Sequence, residues 1–280
     1  MKKISIGTAQ FGLKYGIKNN YKKFSQNKVN KIIDYCLKKN IICLDTSQSY
    51  GDAEQKIGSY IRKKKIKLNI TTKISYKKFN SIKKSIQNLN CIPEVILFHN
   101  CRDLFNKSFR EKIFRECKHY GIKKIGVSIY KGDEINKILN FKKINVVQLP
   151  LNIIDRHFLE NNTIKRLKRK KIDIQIRSVF LQGLLLTKKK KFIKNNYLFE
   201  KSINVLEKIA KNNNIRISEL CLRWASLNKN IDRIVIGIDN ISQLKQNIKT
   251  LNKKNKLKSY ELIKKIQFRN IKILDPRNWQ

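Results

Sequence analysis

"IICLDTSQSYGDAEQKIG", residues 41–58, changes character twice. It opens as an apolar run that ends on an acid, Asp45, and passes through hydroxyl and amide side chains to Tyr50 and Gly51. From Ala53 onward it carries apolar residues at helical spacing behind Glu54. An unbroken apolar run of strand length is the mark of a parallel strand buried on both faces, and a period near 3.6 is the mark of an amphipathic helix. The stretch therefore reads as one strand–loop–helix unit, with polar and ionisable groups concentrated where the strand ends.

The same unit recurs along the chain. Strand-length runs are "ISIG" (4–7), "LNITTK" (68–73), "EVILFH" (94–99), "KIGVS" (124–128), "INVVQL" (144–149), "IDIQIR" (172–177) and "RIVIG" (233–237). Amphipathic segments lie between them, most clearly "NKVNKIIDYCLKKN" (27–40), with Val29, Ile32, Ile33, Cys36 and Leu37 on one side. The longest interval, from Arg177 to the last run, holds two helical stretches, 199–212 and 218–228, behind a basic loop. Eight alternations predict an α/β fold, a (β/α)8 TIM barrel, as a single domain over residues 1–280. A doubly wound open sheet is the alternative, but no run is followed by the G-x-G-x-x-G turn of its dinucleotide-binding form. No linker rich in Pro, Gly or Ser divides the chain.

Composition narrows the function. A hydrophobic fraction of 41% with 3 prolines in 280 residues belongs to a folded chain with a sizeable core. There is no apolar stretch of membrane-spanning length and no signal-peptide pattern, so a soluble, cytoplasmic protein without a membrane partner is expected. The net charge of +44 suits phosphate-rich partners. Yet the lysine runs "IRKKKIK", "KRLKRKK" and "TKKKKF" are scattered, and Ile and Asn are enriched in the same places, which points to A/T-rich codons filling solvated faces. No specific nucleic-acid partner is expected, though such a surface concentrates anionic ligands. The 6 cysteines form no C-x-x-C pair and the 3 histidines show no metal-ligand spacing, so reduced thiols and no metal site are expected.

In a barrel of this kind chemistry sits at the carboxyl ends of the strands. The residues there are Asp45, Lys73, His99, Ser128, Gln148, Arg177 and Gly237, with Tyr50 five positions beyond Asp45. Singly each has an ordinary reading, as a turn cap, a solvated lysine or a hydrogen-bonded structural histidine. Together they make a chemical set. A phenol acts as an acid near neutrality when a cation lowers its pKa, and a buried cation needs a carboxylate to hold it. Tyr50, Lys73 and Asp45 supply these three parts, and His99 adds a neutral donor for a carbonyl.

These residues carry a family resemblance. "LDTSQSYGDAEQKIG" resembles the D-T-A-x-x-Y-G-x-x-E signature of the aldo-keto reductases, "ITTK" their third-strand lysine and "ILFHN" their fourth-strand histidine. "IGVSIY" is similar to their G-V-S-N segment, "VVQLPLNI" to Q-x-x-Y-N, and "RSVFLQGLL" to Y-S-P-L-x-x-G-L-L; "IVIGIDNISQLKQNI" resembles their cofactor-binding end. The resemblance implies an NAD(P)H-dependent oxidoreductase reducing an aldehyde, ketone or sugar by hydride transfer. Tyr50 would be the general acid, Lys73 would lower its pKa, Asp45 would hold Lys73 and His99 would steer the carbonyl. Cofactor contacts would come from Ser128, Gln148, Arg177, Ser178, Gly237, Gln243 and Asn247. The opening "GTAQFGLKYGI" and the "RSVFLQGLLL" variant resemble a bacterial branch linked to surface-glycan metabolism, which implies a small-molecule carbonyl such as a sugar or nucleotide sugar.

Three departures stand out. Ile129 replaces the Asn expected after Ser128, Arg177 replaces the tyrosine that stacks on the nicotinamide, and Asp239 sits where a basic residue would grip a 2′-phosphate. The family favours NADP(H), and NAD(H) stays open. A cofactor-binding, redox-responsive subunit with little turnover is the alternative function. Loops 8–24, 100–108 and 186–198 and the tail "LDPRNWQ" are expected to build the substrate pocket, with Tyr15, Tyr21, Phe24 and Trp279 as candidate walls.

Overall fold

Each of the eight apolar runs folds as a strand, and the amphipathic segments between them fold as helices. The structure, a computed structural model, describes residues 4–17, 23–78, 81–187, 196–253, 257–266 and 268–279. The strands are β1 (Ile4–Gly7), β2 (Cys43–Asp45), β3 (Asn69–Ile74), β4 (Val95–Phe98), β5 (Lys124–Ser128), β6 (Val146–Pro150), β7 (Asp173–Arg177) and β8 (Arg233–Gly237). They form a closed parallel barrel in sequence order, sealed where β8 pairs with β1 from Ile4 opposite Ile234 to Gly7 opposite Gly237. The fold is a (β/α)8 TIM barrel in a single domain.

Strand alternation separates two environments. Ile70, Ile96, Phe98, Val127, Val147, Leu149, Ile174 and Ile176 face outward into the large core shared with the helices. Inside the barrel the apolar filling is small, with Val95, Leu97 and Val146 forming one cluster and Val235 lying in register with Ser5. The other inward positions include Ser5, Asp45, Thr71, Lys73, Ser128, Gln148 and Gln175, all of them buried. Strands that read as almost continuously apolar thus carry a polar inner face, richest toward their carboxyl ends. At the opposite end Lys124 pairs with Asp173 at 2.7 Å and with Glu94 at 3.8 Å, and Arg233 lies 3.9 Å from Glu94. These pairs are partly exposed, so each is worth about 0–1 kcal/mol.

The helices follow the sequence closely. Gln26–Lys38 starts at Ser25, whose Oγ accepts from the Lys28 backbone N–H at 3.3 Å, and buries Val29, Ile32, Ile33 and Cys36. Such a cap contributes about 1 kcal/mol. Tyr197–Asn212 and Ile217–Leu227 fill the long interval before β8. One helix is concealed in a basic run: Thr163–Arg169 folds within "KRLKRKK" territory and buries only Thr163, Ile164 and Leu167. Among the described residues no helix is long and apolar enough to cross a membrane.

Candidate active site

The centre of the barrel mouth is a buried ion pair. Lys73 on β3 is 1% exposed and Asp45 at the end of β2 is 3% exposed. The Lys73 Nζ donates to Asp45 Oδ1 at close range and to the Thr46 carbonyl at 3.3 Å. Asp45 Oδ2 accepts from Gln148 Nε2 at 2.7 Å, and that nitrogen also donates to Gln175 Oε1 at 3.1 Å. A buried pair is tolerated when its remaining hydrogen-bonding capacity is met, and both carboxylate oxygens here have donors. Burial pushes the Lys73 ammonium below its usual pKa, and the Asp45 charge works against that shift.

Tyr50 lies over this pair, with its ring centre 5.3 Å from Lys73 Nζ and 6.1 Å from the His99 ring, which meets it edge-on at 80°. The loop that carries Tyr50 is seated by two glycines. A Cβ at Gly12 would stand 1.8 Å from the Tyr50 carbonyl oxygen, and one at Gly51 would stand 2.5 Å from the Gly12 oxygen. Gly51 also has a φ of +56°, which glycine adopts without strain. Burial and the Asp45 carboxylate push the Tyr50 phenol above its ordinary pKa, and Arg177 pulls the other way. The net effect is upward, opposite to the lowering expected from Lys73, because burial outweighs the charges and Asp45 sits beside that cation. The phenol therefore keeps its proton across the neutral range.

His99 follows β4, and its backbone N–H donates to the Ile74 carbonyl at 2.8 Å. Its Nδ1 is 3.4 Å from Ser47 Oγ, which also lies 3.1 Å from the Lys73 carbonyl and accepts from the Ser49 N–H at 3.1 Å. Ser47 has one proton for two acceptors, so where it points decides which nitrogen of His99 is protonated. Burial first, and then the charges of Lys73, Arg177 and Lys78, lower the His99 pKa to about 3. The imidazole is neutral at physiological pH.

The residues expected to hold a cofactor fall into two groups. Gln148 joins the catalytic candidates through Asp45, and Ser128 is its register partner across β5 and β6. Arg177, at the end of β7, donates to Ser178 Oγ at 3.3 Å and to the Ile129 carbonyl at 3.1 Å, and Ser178 has a left-handed φ of 61°. The second group lies beyond β8. Gly237 is exposed beside Gln10, Gln243 exchanges hydrogen bonds with Asp239, and Asn247 is buried in the helix Ile241–Leu251. Asn240 caps that helix and already occupies the Gln243 N–H at 2.8 Å. Ile129 is fully buried.

Several participants were not singled out in the sequence. Gln175, Ser47 and Gly12 have no signal beyond ordinary polarity or size. Lys28 donates to the Asp239 carbonyl at 2.7 Å from a helix more than two hundred positions away in the chain. Glu54 proves to be a brace, accepting from Thr72 at 2.7 Å and Ser85 at 2.9 Å. Of the candidate walls, Phe24 is a core residue at 2% exposure packed on Phe11, while Tyr15 is half-buried, and burial pushes its phenol above the ordinary pKa. Trp279 donates to the Ile273 carbonyl at 3.1 Å, and Tyr21 lies outside the described residues, as do parts of loops 8–24 and 186–198. Among the described residues no three His, Cys, Asp or Glu side chains gather as a metal-holding group.

Comparison with known proteins adds the decisive observation: the model of the aldo/keto reductase family matches residues 3–267. The chain belongs to that family. Aldo/keto reductases are NAD(P)-dependent oxidoreductases acting on small carbonyl compounds, and this one is an enzyme of that class. Among solved structures it is similar to the holo form of the aldo-keto reductase AKR11C1 of Bacillus halodurans, with a TM-score of 0.76 and 18% identity over 95% of this chain and 92% of that one. It is also similar to a candidate aldo-keto reductase of Pseudomonas aeruginosa, with a TM-score of 0.66 and 15% identity over 89% of each chain. At these identities the likeness is one of fold. No curated protein sequence matches the chain.

Proposed function

We propose that this aldo/keto reductase converts a small aldehyde, ketone or sugar to the alcohol, with Tyr50 as general acid. The observation that carries the reading is the buried Lys73–Asp45 pair beneath Tyr50 and His99 at the barrel mouth. A structural role does not require an ionised lysine at this depth, because burying it costs several kcal/mol.

The chain fits a nicotinamide cofactor at one testable point. Gln148 gives its amide nitrogen to Asp45 and Gln175, which leaves Oε1 buried without a partner among the described residues. Buried acceptors are rarely left unmet, and a carboxamide N–H would satisfy this one. Ser128 and Gln148 would hold the carboxamide, Arg177 and Ser178 would flank the middle of the cofactor, and Gly237, Gln243 and Asn247 would take its adenosine end. When bound, the reduced nicotinamide supplies the hydride. Tyr50 holds a proton on Oη and passes it to the substrate oxygen as charge develops there. His99, kept neutral by burial, orients the carbonyl by donating from the ring nitrogen that faces it. Lys73 stabilises the phenolate left behind, and Asp45 and Gln148 keep Lys73 in position.

Preference between the two dinucleotides is read at Asp239. NADP(H) accords with the family, and Lys28 brings a cation next to the Asp239 backbone. NAD(H) accords with the Asp239 carboxylate, which Gln10 and Gln243 hold from either side. Sugars and nucleotide sugars are the first substrates to try, in line with a role in bacterial surface-glycan metabolism in the cytoplasm. The test is a titration of purified protein with NADPH and NADH, followed by a carbonyl screen reading cofactor oxidation. Saturable binding with turnover of at least one carbonyl is expected. Binding without any turnover would favour a cofactor-responsive subunit instead.

A further inference from the structure

Tyr130, two positions beyond β5, lies between two guanidiniums. Its ring centre is 4.0 Å from the guanidinium carbon of Arg177 and 3.5 Å from that of Arg277. Two flat cations this close to one ring centre would overlap on a shared face, so they occupy opposite faces, Arg177 from the end of β7 on one and Arg277 from the tail on the other. Each is attracted by the electron-rich face of the phenol, and arginine stacks flat in such places.

The outer guanidinium is firmly held. Arg277 donates from Nε to both oxygens of Asp275, at 2.9 and 3.0 Å, and its backbone N–H donates to Asp275 Oδ1 at 3.1 Å. Asp275 is 8% exposed, and with Ile271 and Leu274 it lines one small groove together with Tyr130 and Pro150. Its carboxylate also offsets one of two like charges that otherwise repel each other across the ring. The inner guanidinium has weaker ties: Arg177 donates from Nη2 to the Ile129 carbonyl at 3.1 Å and from Nη1 to Ser178 Oγ at 3.3 Å. Neither partner is charged, so the face of Tyr130 does most to set the plane of Arg177. That ring is fixed in turn, because Glu134 Oε2 accepts from the backbone N–H groups of Tyr130 at 3.2 Å and Lys131 at 3.1 Å. The chain just past β5 therefore holds both an edge and a face of Arg177, and the other face is left for a second flat group.

We propose that Tyr130 and Arg277 are positioning residues for the cofactor, holding the Arg177 guanidinium flat so that its remaining face is preset for the reduced nicotinamide ring. The proposal rests on reading Arg177 as a cofactor residue beside the Tyr50 centre. It connects the tail to cofactor binding through Arg277. It also carries a charge consequence: a guanidinium against the ring accepts the neutral reduced nicotinamide and disfavours the cationic oxidised one.

The test is calorimetric titration of the wild type and its variants with NADPH and NADH, with their oxidised forms, and with ADP-ribose and its 2′-phosphate, which lack the nicotinamide. The wild type is expected to bind the reduced form more tightly than the oxidised one. Tyr130→Leu should weaken the reduced dinucleotide by about 3- to 10-fold, the scale of one or two cation–π contacts, and narrow the preference for the reduced form. Binding of the fragments without nicotinamide should not change. Tyr130→Phe keeps the ring and should behave as the wild type, and Arg277→Gln should shift the same two quantities by less. In an Arg177→Met background, Tyr130→Leu should add nothing, because the group it positions is gone. Equal losses for the dinucleotide and the fragments, a Tyr130→Phe variant as weak as Tyr130→Leu, or additive effects with Arg177→Met would overturn the proposal. A wild type that binds dinucleotide with the same affinity as Tyr130→Leu overturns this proposal alone, whereas a wild type that binds no dinucleotide overturns the functional reading with it.

Discussion

At the scale of single residues, His99 gives the sharpest prediction. Its folded pKa is about 3 against an ordinary 6.5, so between those values the unfolded chain binds a proton that the folded chain does not. The stability this site contributes is therefore fully present above the ordinary value and is lost as pH falls toward the folded one. His99→Gln removes that term. Melting temperatures of the two proteins should converge as the buffer is taken from neutrality to about pH 4, with the variant losing less. Parallel losses would mean that His99 is not held neutral by its surroundings. That Asp45, Tyr50, Lys73 and His99 gather at one end of the barrel could be read in the sequence, because each ends a strand or follows one by a fixed interval. The electrostatic balance could not. That burial outweighs the nearby charges and raises the Tyr50 phenol depends on how deeply the ring sits and on Asp45 lying beside Lys73, and neither is encoded by spacing.

At the scale of elements, eight strands and most of the helices could be read because parallel strands and amphipathic helices leave different periodicities. The helix Thr163–Arg169 was missed for a physical reason: it buries one apolar pair a single turn apart, and its other positions are nearly all basic. The seat of the Tyr50 loop was missed for another. Gly12 and Gly51 are far apart in sequence, and only the fold brings Gly12 against the Tyr50 carbonyl. Gly12→Ala should therefore act through the loop. A methyl group cannot fit 1.8 Å from an oxygen, so either the short helix Ala9–Gly12 or the Tyr50 loop must shift. A displacement of that size is expected to lower kcat by about 10²-fold while the barrel stays folded by circular dichroism. Full activity in this variant would show that the loop position does not govern the proton donor.

At the scale of the whole molecule, the barrel places its polar inner face and its cofactor-binding candidates at one end, and the chain carries a net charge of +44. If the lysines are a compositional surface, binding to DNA or RNA should be weak, blind to sequence and lost steeply with rising salt. Retention on a defined sequence at physiological salt would argue for a nucleic-acid role. The central claim is narrower, that this aldo/keto reductase reduces a carbonyl with Tyr50 as its acid. Tyr50→Phe keeps the ring against His99 and Lys73 and removes only the transferable proton. Measured side by side with the wild type on a carbonyl that the wild type reduces, the variant should bind NADPH or NADH with unchanged affinity and turn over about 10²-fold or more slowly. A variant that binds cofactor normally and keeps near-full turnover would contradict the account.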